Sequence, residues 1–209
     1  MKNKTNNKTN NKDHYFLTEI NPVIRFLIIS DVAIVGAAGL LGPVFGLFIE
    51  DNIIGGNEAV VGIAAGIFLF TKSLLQIPVA NFIDRIRGER DDFSLLITFS
   101  IIMGLIPLCY LFITTPIQLY VVQFIYGLIT AITFPSYMTI FTHHIDKNKE
   151  GTEWGIYFTL TDVTSALLAV IGGYMAVESG FVALIWVVTI MSVIGALLLY
   201  PIKKYLKTR

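Results

Sequence analysis

The amino-acid sequence predicts an all-α membrane protein: six transmembrane helices with both termini on one side of the bilayer. Three observations carry that fold class. Of 209 residues, 55% are hydrophobic and 14% charged, and the mean hydropathy of +0.71 exceeds what one soluble core needs. The apolar residues fall into six runs, 23–49, 59–80, 93–114, 117–141, 153–177 and 181–201. Each is at or above the roughly 20 residues that a helix needs to cross about 30 Å of hydrocarbon. Their continuous apolarity, without alternating segments of about ten residues, argues against a transmembrane barrel. Finally, fourteen of the fifteen Lys and Arg residues lie on one face, although the net charge is zero.

That face fixes orientation, because Lys and Arg in short loops stay in the cytoplasm. Lys2, Lys4, Lys8, Lys12 and Arg25 flank the start of span one. Arg85, Arg87 and Arg90 follow span two, Lys147 and Lys149 follow span four, and Lys203, Lys204, Lys207 and Arg209 follow span six. The opposite loops carry only Glu50, Asp51, Glu58 and Glu178. A multi-pass protein of the cell membrane, plasma or inner, with cytoplasmic termini is expected.

Taken in order, residues 1–14, MKNKTNNKTNNKDH, offer no apolar face and read as a disordered cytoplasmic tail ahead of a 15–209 membrane domain. Span one is too long for a signal-peptide core and lacks a small-residue cleavage site. It carries Asp31 and a stripe of Gly36, Gly39, Pro43 and Gly46, which permits close helix approach, local unwinding or substrate contact. Span two contains Lys72. Span three has no charge, and its Cys109, the single cysteine, is a small apolar filler that excludes an intrachain disulfide. Span four is intermediate in polarity, with Gln123, Tyr126, Thr130, Thr133, Ser136 and Tyr137. Span five runs Gly155, Thr159, Asp162, Ser165, Ala169, Gly172 and Ala176 along one side, a face that wants another helix against it. Span six is uncharged, so spans three and six can face lipid, whereas charged spans face a bundle interior or wet cavity.

Asp31, Lys72 and Asp162 all lie about 12–15 Å deep from the inner boundary by helix rise. Two acids and one base at one depth cannot all be neutralised pairwise, so one acid is a candidate carrier of a coupling proton. The plainer alternative is a structural ion pair plus one acid in a wet cavity. His143 and His144 point to different sides of a helix, and with Asp146 they lack the spacing of a metal site. No Gly-x-Ser-x-Gly elbow, Walker A loop or cysteine pair supports an enzyme. No cofactor, metal or nucleic-acid partner is expected.

The stretch PVANFIDRIRGERDD, after span two, resembles the loop motif of the major facilitator superfamily, Gly-x-x-x-Asp-Arg-x-Gly-Arg-(Arg/Lys). Asp84 and Arg85 fall at the Asp-Arg pair, Gly88 at the second Gly and Arg90 at a terminal basic position. Ala80 replaces the first Gly, Arg87 is an extra residue and Glu89 interrupts the basic pair. QFIYGLITAITFP, residues 123–135, resembles the family's fourth helix, with Gln123 where many members carry Arg. HHIDKNKEGTEWGIYFTLTDVTSALLAVIGGYM resembles its fifth, without the antiporter Gly-Pro pair.

Such carriers have two six-helix halves with the site between them. The resemblance therefore implies one half, itself a 3+3 inverted repeat, acting as a parallel homodimer by alternating access. Pairing with a different half, or a truncated chain, stays open, although Met1 and the basic finish look like natural ends. The resemblance puts Gly39, Pro43, Gln123, Tyr126, Thr130, Thr133 and Tyr137 near the cavity, with helices two and five facing the other half. It makes Asp84, Arg85, Arg87, Gly88, Arg90 and Glu153 an inner-gate loop, in which Asp84 caps the partner's span five and Arg85 or Arg87 holds Glu153. A positive-inside retention signal is the simpler reading of the same charges. The expected partners are the bilayer, a small-molecule substrate and a proton. The rival is a scaffold, receptor or assembly protein that keeps the half-fold without transporting. Polar residues rather than an Arg cluster in span four disfavour organic phosphates as substrates.

Overall fold

The computed structural model describes residues 17, 19–85 and 88–206. The 1–14 tail and Arg87 therefore lie outside the described residues. Within these the chain is helix and turn, with no strand, and six helical segments are long and apolar enough to cross a membrane.

Span one is built from two helices. α1 (Pro22–Leu41) starts at Asn21, whose side-chain oxygen accepts from the Val23 N–H at 2.9 Å. Pro22 occupies a position whose N–H would have no helical partner anyway. A 3-10 turn over Gly42–Val44 follows, and α2 (Phe45–Asn52) completes the crossing. Pro43 cannot donate to the preceding turn, so the rod breaks there.

α3 (Glu58–Arg85) and α4 (Glu89–Cys109) extend into the charged stretch between spans two and three. Arg85 sits in the last turn of α3, and Glu89, Asp91 and Asp92 in the first turn of α4. Those are the signs that the helix dipole favours at each end. The charges thus prolong the helices, and the loop is shorter than composition suggests.

α5 (Pro116–His144) begins with Gln118 Oε1 accepting from the N–H groups of Thr114 and Thr115 at 2.8 and 3.2 Å. α6 (Glu150–Glu178) reverses into α7 (Gly180–Leu197) at Gly180, whose φ of +77° suits a residue without Cβ. A 3-10 turn, Tyr200–Lys204, prolongs the last crossing.

The helices pack as an arc: α3 on α5, α5 on α4, α4 on α7, α7 on α1 and α1 on α6. α1 and α5 also touch, but α3 and α6, the two ends, make at most marginal contact with each other. Exchanging spans one to three with spans four to six maps these neighbours onto one another, although α6 also packs on α7 without an equal α3–α4 contact. α4 and α7 form the back, with Ile102, Leu105, Ile190 and Ile194 exposed on their outer faces. α3 and α6 are the least buried spans.

In lipid, helices associate through close contact and hydrogen bonds rather than hydrophobic burial. α1 and α6 meet over glycines: a Cβ at Gly39 would lie 2.9 Å from Ser165 Cα, and Gly172 rests on the Leu40 backbone. Ser165 Oγ donates to Val35 O at 3.3 Å, and Ser30 Oγ ties α1 to α7 through Gly195 O at 2.7 Å. Each such bond contributes about 0.6–1.7 kcal/mol. The stripe expected along span five is therefore split. Ser165 and Gly172 face α1, whereas Gly155, Thr159 and Asp162 are exposed.

Candidate functional site

Two apolar cores lie along the bundle. One, around Leu40, Phe48, Tyr110 and Leu184, fills the end with the α2–α3 turn. The other, around Ile24, Phe93, Phe141 and Ile202, fills the end with the basic residues. Between them is a cavity of about 510 Å³ lined from α1, α3, α4, α5, α6 and α7. That size is in the range of small-molecule sites, roughly 300–1,000 Å³.

Its wall is mostly aromatic and aliphatic, including Phe45, Phe68, Met103, Tyr126 and Phe134. Phe45 stands 5.1 Å from the Tyr110 ring. Toward the basic end Tyr137 and Tyr157 are 5.7 Å apart, and Phe141 stacks on Trp154 at 4.3 Å just beyond them. This aromatic layer links α5 to α6, which otherwise pack little.

Few polar groups face the cavity. Asp31, on α1, is half-buried, and its Oδ2 accepts a 2.6 Å hydrogen bond from the buried Tyr157 hydroxyl of α6. That length is typical of a hydroxyl bound to a charged oxygen. Gln123 Nε2 donates to Tyr110 Oη at 3.4 Å. Thr130 and Thr133 donate back to carbonyls one turn earlier in α5, at 2.8 and 3.2 Å. The Tyr137 hydroxyl is buried in the wall and makes no hydrogen bond among the described residues. Tyr137→Phe should therefore leave thermal stability in detergent within about 1 kcal/mol of wild type. A fall of several degrees in Tm would show instead that the hydroxyl is structurally engaged.

Of the residues singled out from sequence, Asp31, Gln123, Tyr126, Thr130, Thr133 and Tyr137 line the cavity. Gly39 does not, because it is spent on the α1–α6 crossing, and Pro43 is exposed in the 3-10 turn beside the lining residue Gly42. Asp31, Lys72 and Asp162 are not brought together. Lys72 is half-buried on α3 with Nζ 5.0 Å from the Phe134 ring centroid, a cation–π contact worth about 1 kcal/mol. Asp162 is exposed on α6, at the other end of the arc. Equal depth brought them onto one level, but helix order separates them.

At the basic end, Asp84 and Arg85 are exposed on the last turn of α3, Gly88 precedes α4, and Arg90 is exposed in its first turn. Glu153 is fully buried, with Oε1 accepting from the Asp146 N–H at 3.3 Å, and the contact with Arg87 expected for it lies outside the described residues. Asp92, read as a loop charge, is also buried, with Oδ1 lacking a hydrogen bond among the described residues. The His144 nitrogen Nδ1 lies 3.0 Å from its own helix's Ile140 carbonyl.

Sequence reasoning missed Tyr157. A phenol four positions after Glu153 on a buried face carries no charge signal.

Six membrane-length helices around a polar-dotted internal cavity define a polytopic membrane protein of transporter type. The family model of the Major Facilitator Superfamily matches residues 27–208. The chain belongs to that superfamily, whose members are membrane transporters. No curated protein matches the chain.

Proposed function

We propose that this chain is a half-size secondary active transporter that moves a small molecule by alternating access, as a parallel homodimer driven by protons. The observation that carries this reading is the cavity wall, where Asp31 is the one carboxylate among the described residues and is positioned by Tyr157. A charge in low dielectric is costly unless a proton, a cation or water neutralises it. Asp31 can therefore exchange a proton against substrate or conformation. The mainly apolar lining, aliphatic and aromatic, favours a small amphiphile over a sugar phosphate.

The homodimer is supported by the two exposed end helices, which leave one side of the arc uncovered. The self-mapping neighbour pattern supports a 3+3 repeat. The basic residues at one end support cytoplasmic termini in a cell membrane. Asp84, Arg85, Gly88 and Arg90 are then at the inner mouth, where the exposed Asp84 and Arg85 can latch against the partner. Glu153 lies in the first turn of α6.

Purified protein in vesicles with an imposed pH gradient should accumulate labelled members of a panel of amphiphiles. Single-molecule bleaching should count two subunits. Single bleaching steps at every protein-to-lipid ratio would overturn the dimer. Failure of every panel member to accumulate or to move protons would overturn proton-driven transport of amphiphiles.

A further inference from the structure

Two charges at membrane depth, Lys72 and Asp162, do not line the cavity. Lys72 and Asp162 make no ion pair among the described residues, and Asp162 is exposed. Charged side chains at this depth ordinarily pair or face water. By helix rise, Lys72 lies about 20 Å from the Arg85 end of α3 and Asp162 about 18 Å from the Glu150 end of α6. They share a level, yet they occupy the two ends of the arc and cannot meet within one chain.

Asp162 lies on a face of small residues and Lys72 lies beside one. On α3, Gly62, Gly66, Ser73 and Ala80 fall along one side; on α6, Gly155, Thr159, Ala166 and Gly173 do so with matching intervals. A Cβ at Gly62, Gly66, Gly155 or Gly173 would meet nothing within 4 Å, whereas Gly36 and Gly39 are packed. These are helix-packing faces without a helix on them.

We infer that a second copy of the chain covers both faces, with α3 along the partner's α6 and Lys72 paired to Asp162 of the partner subunit. A two-fold axis along the membrane normal makes two such seams, and both charges are neutralised in each. The alternatives are charge-frustrated. α3 against α3 opposes two lysines, and α6 against α6 opposes two aspartates. The pair therefore selects the register that leaves Asp31 facing the shared cavity. This rests on the homodimer proposed above, and it removes Lys72 and Asp162 from proton coupling.

A charge-swap mixture tests it. Lys72→Asp alone would place acids on both sides of each seam, and Asp162→Lys alone would place bases there. Mixing the two variants restores an opposite pair at both seams. In phosphatidylethanolamine–phosphatidylglycerol vesicles, energy transfer between differently labelled chains should show each variant dimerising at least about tenfold more weakly than wild type. The mixture should recover to within about threefold. Independently, Leu69→Cys with Ala166→Cys, at matched depth and with Cys109 replaced by Ser, should crosslink wild-type-charged chains into dimers. A wild-type dimer whose variants dimerise normally, whose mixture fails to recover, or whose cysteine pair does not crosslink overturns the seam alone. A wild type that is monomeric at every lipid ratio overturns the dimer and the seam together.

Discussion

Asp31→Asn is expected to reduce proton-driven accumulation to background while the protein remains folded and dimeric. Asn matches Asp in shape, and its carbonyl oxygen can still accept from the Tyr157 hydroxyl, so the 2.6 Å contact between α1 and α6 has a substitute. What it loses is the exchangeable proton. Substrate binding and gradient-independent exchange should survive, because the remaining wall, mostly aromatic and aliphatic, is unchanged. Tyr157→Phe makes the complementary change: the carboxyl stays but loses its donor, so transport should persist with an altered pH profile. Asp162→Asn should act differently again, lowering the dimer fraction while residual dimers still couple. Proton uptake and solute accumulation, measured together in reconstituted vesicles, separate these outcomes. Full proton-driven accumulation by Asp31→Asn would sink the assignment of the coupling role to this residue.

The contrast between Asp31 and Asp162 shows what was legible in the sequence. Hydropathy located all six crossings, since bilayer thickness imposes a length that local composition reports directly. The sorting of charged and uncharged spans was legible as well: α4 and α7 form the back of the arc, and Asp31, Lys72 and Asp162 mark three other helices. Which charges meet was not legible. Depth follows from counting residues, but lateral order depends on which helices pack, and that is set by contacts such as Gly39 on Ser165. Burial at the basic end was equally hidden. Asp92 sits in a charged stretch that looks solvated and Glu153 at the edge of an apolar run, yet α4 and α6 start before those runs and carry both inside. On α6, Ser165 and Ala166 are adjacent in sequence, but the first is packed on α1 and the second is exposed.

Gly172→Leu is expected to destabilise the folded chain more than any change at an open glycine, because it acts on the α1–α6 crossing itself. The side that lacks a Cβ at Gly172 lies against the Leu40 carbonyl and Cα, which are backbone atoms that no rotamer change can clear. Nearby, Gly39 meets the Ser165 backbone and Gly36 meets Thr164 and Leu168, so the two helices touch over several turns. A leucine must therefore push α6 away from α1, a cost of at least about 1–3 kcal/mol. The same displacement stretches the Tyr157–Asp31 hydrogen bond, so any protein that still folds should couple poorly. Gly173→Leu is the control one position along. A Cβ there meets nothing within 4 Å, so thermal stability of the single chain in detergent should be nearly unchanged. If Gly173 lies under a partner helix, the substitution should instead reduce the dimer fraction in vesicles. Melting temperature and dimer fraction must then respond in opposite order to the two variants. Equal melting temperatures would mean that the α1–α6 crossing is not held by close approach at Gly172.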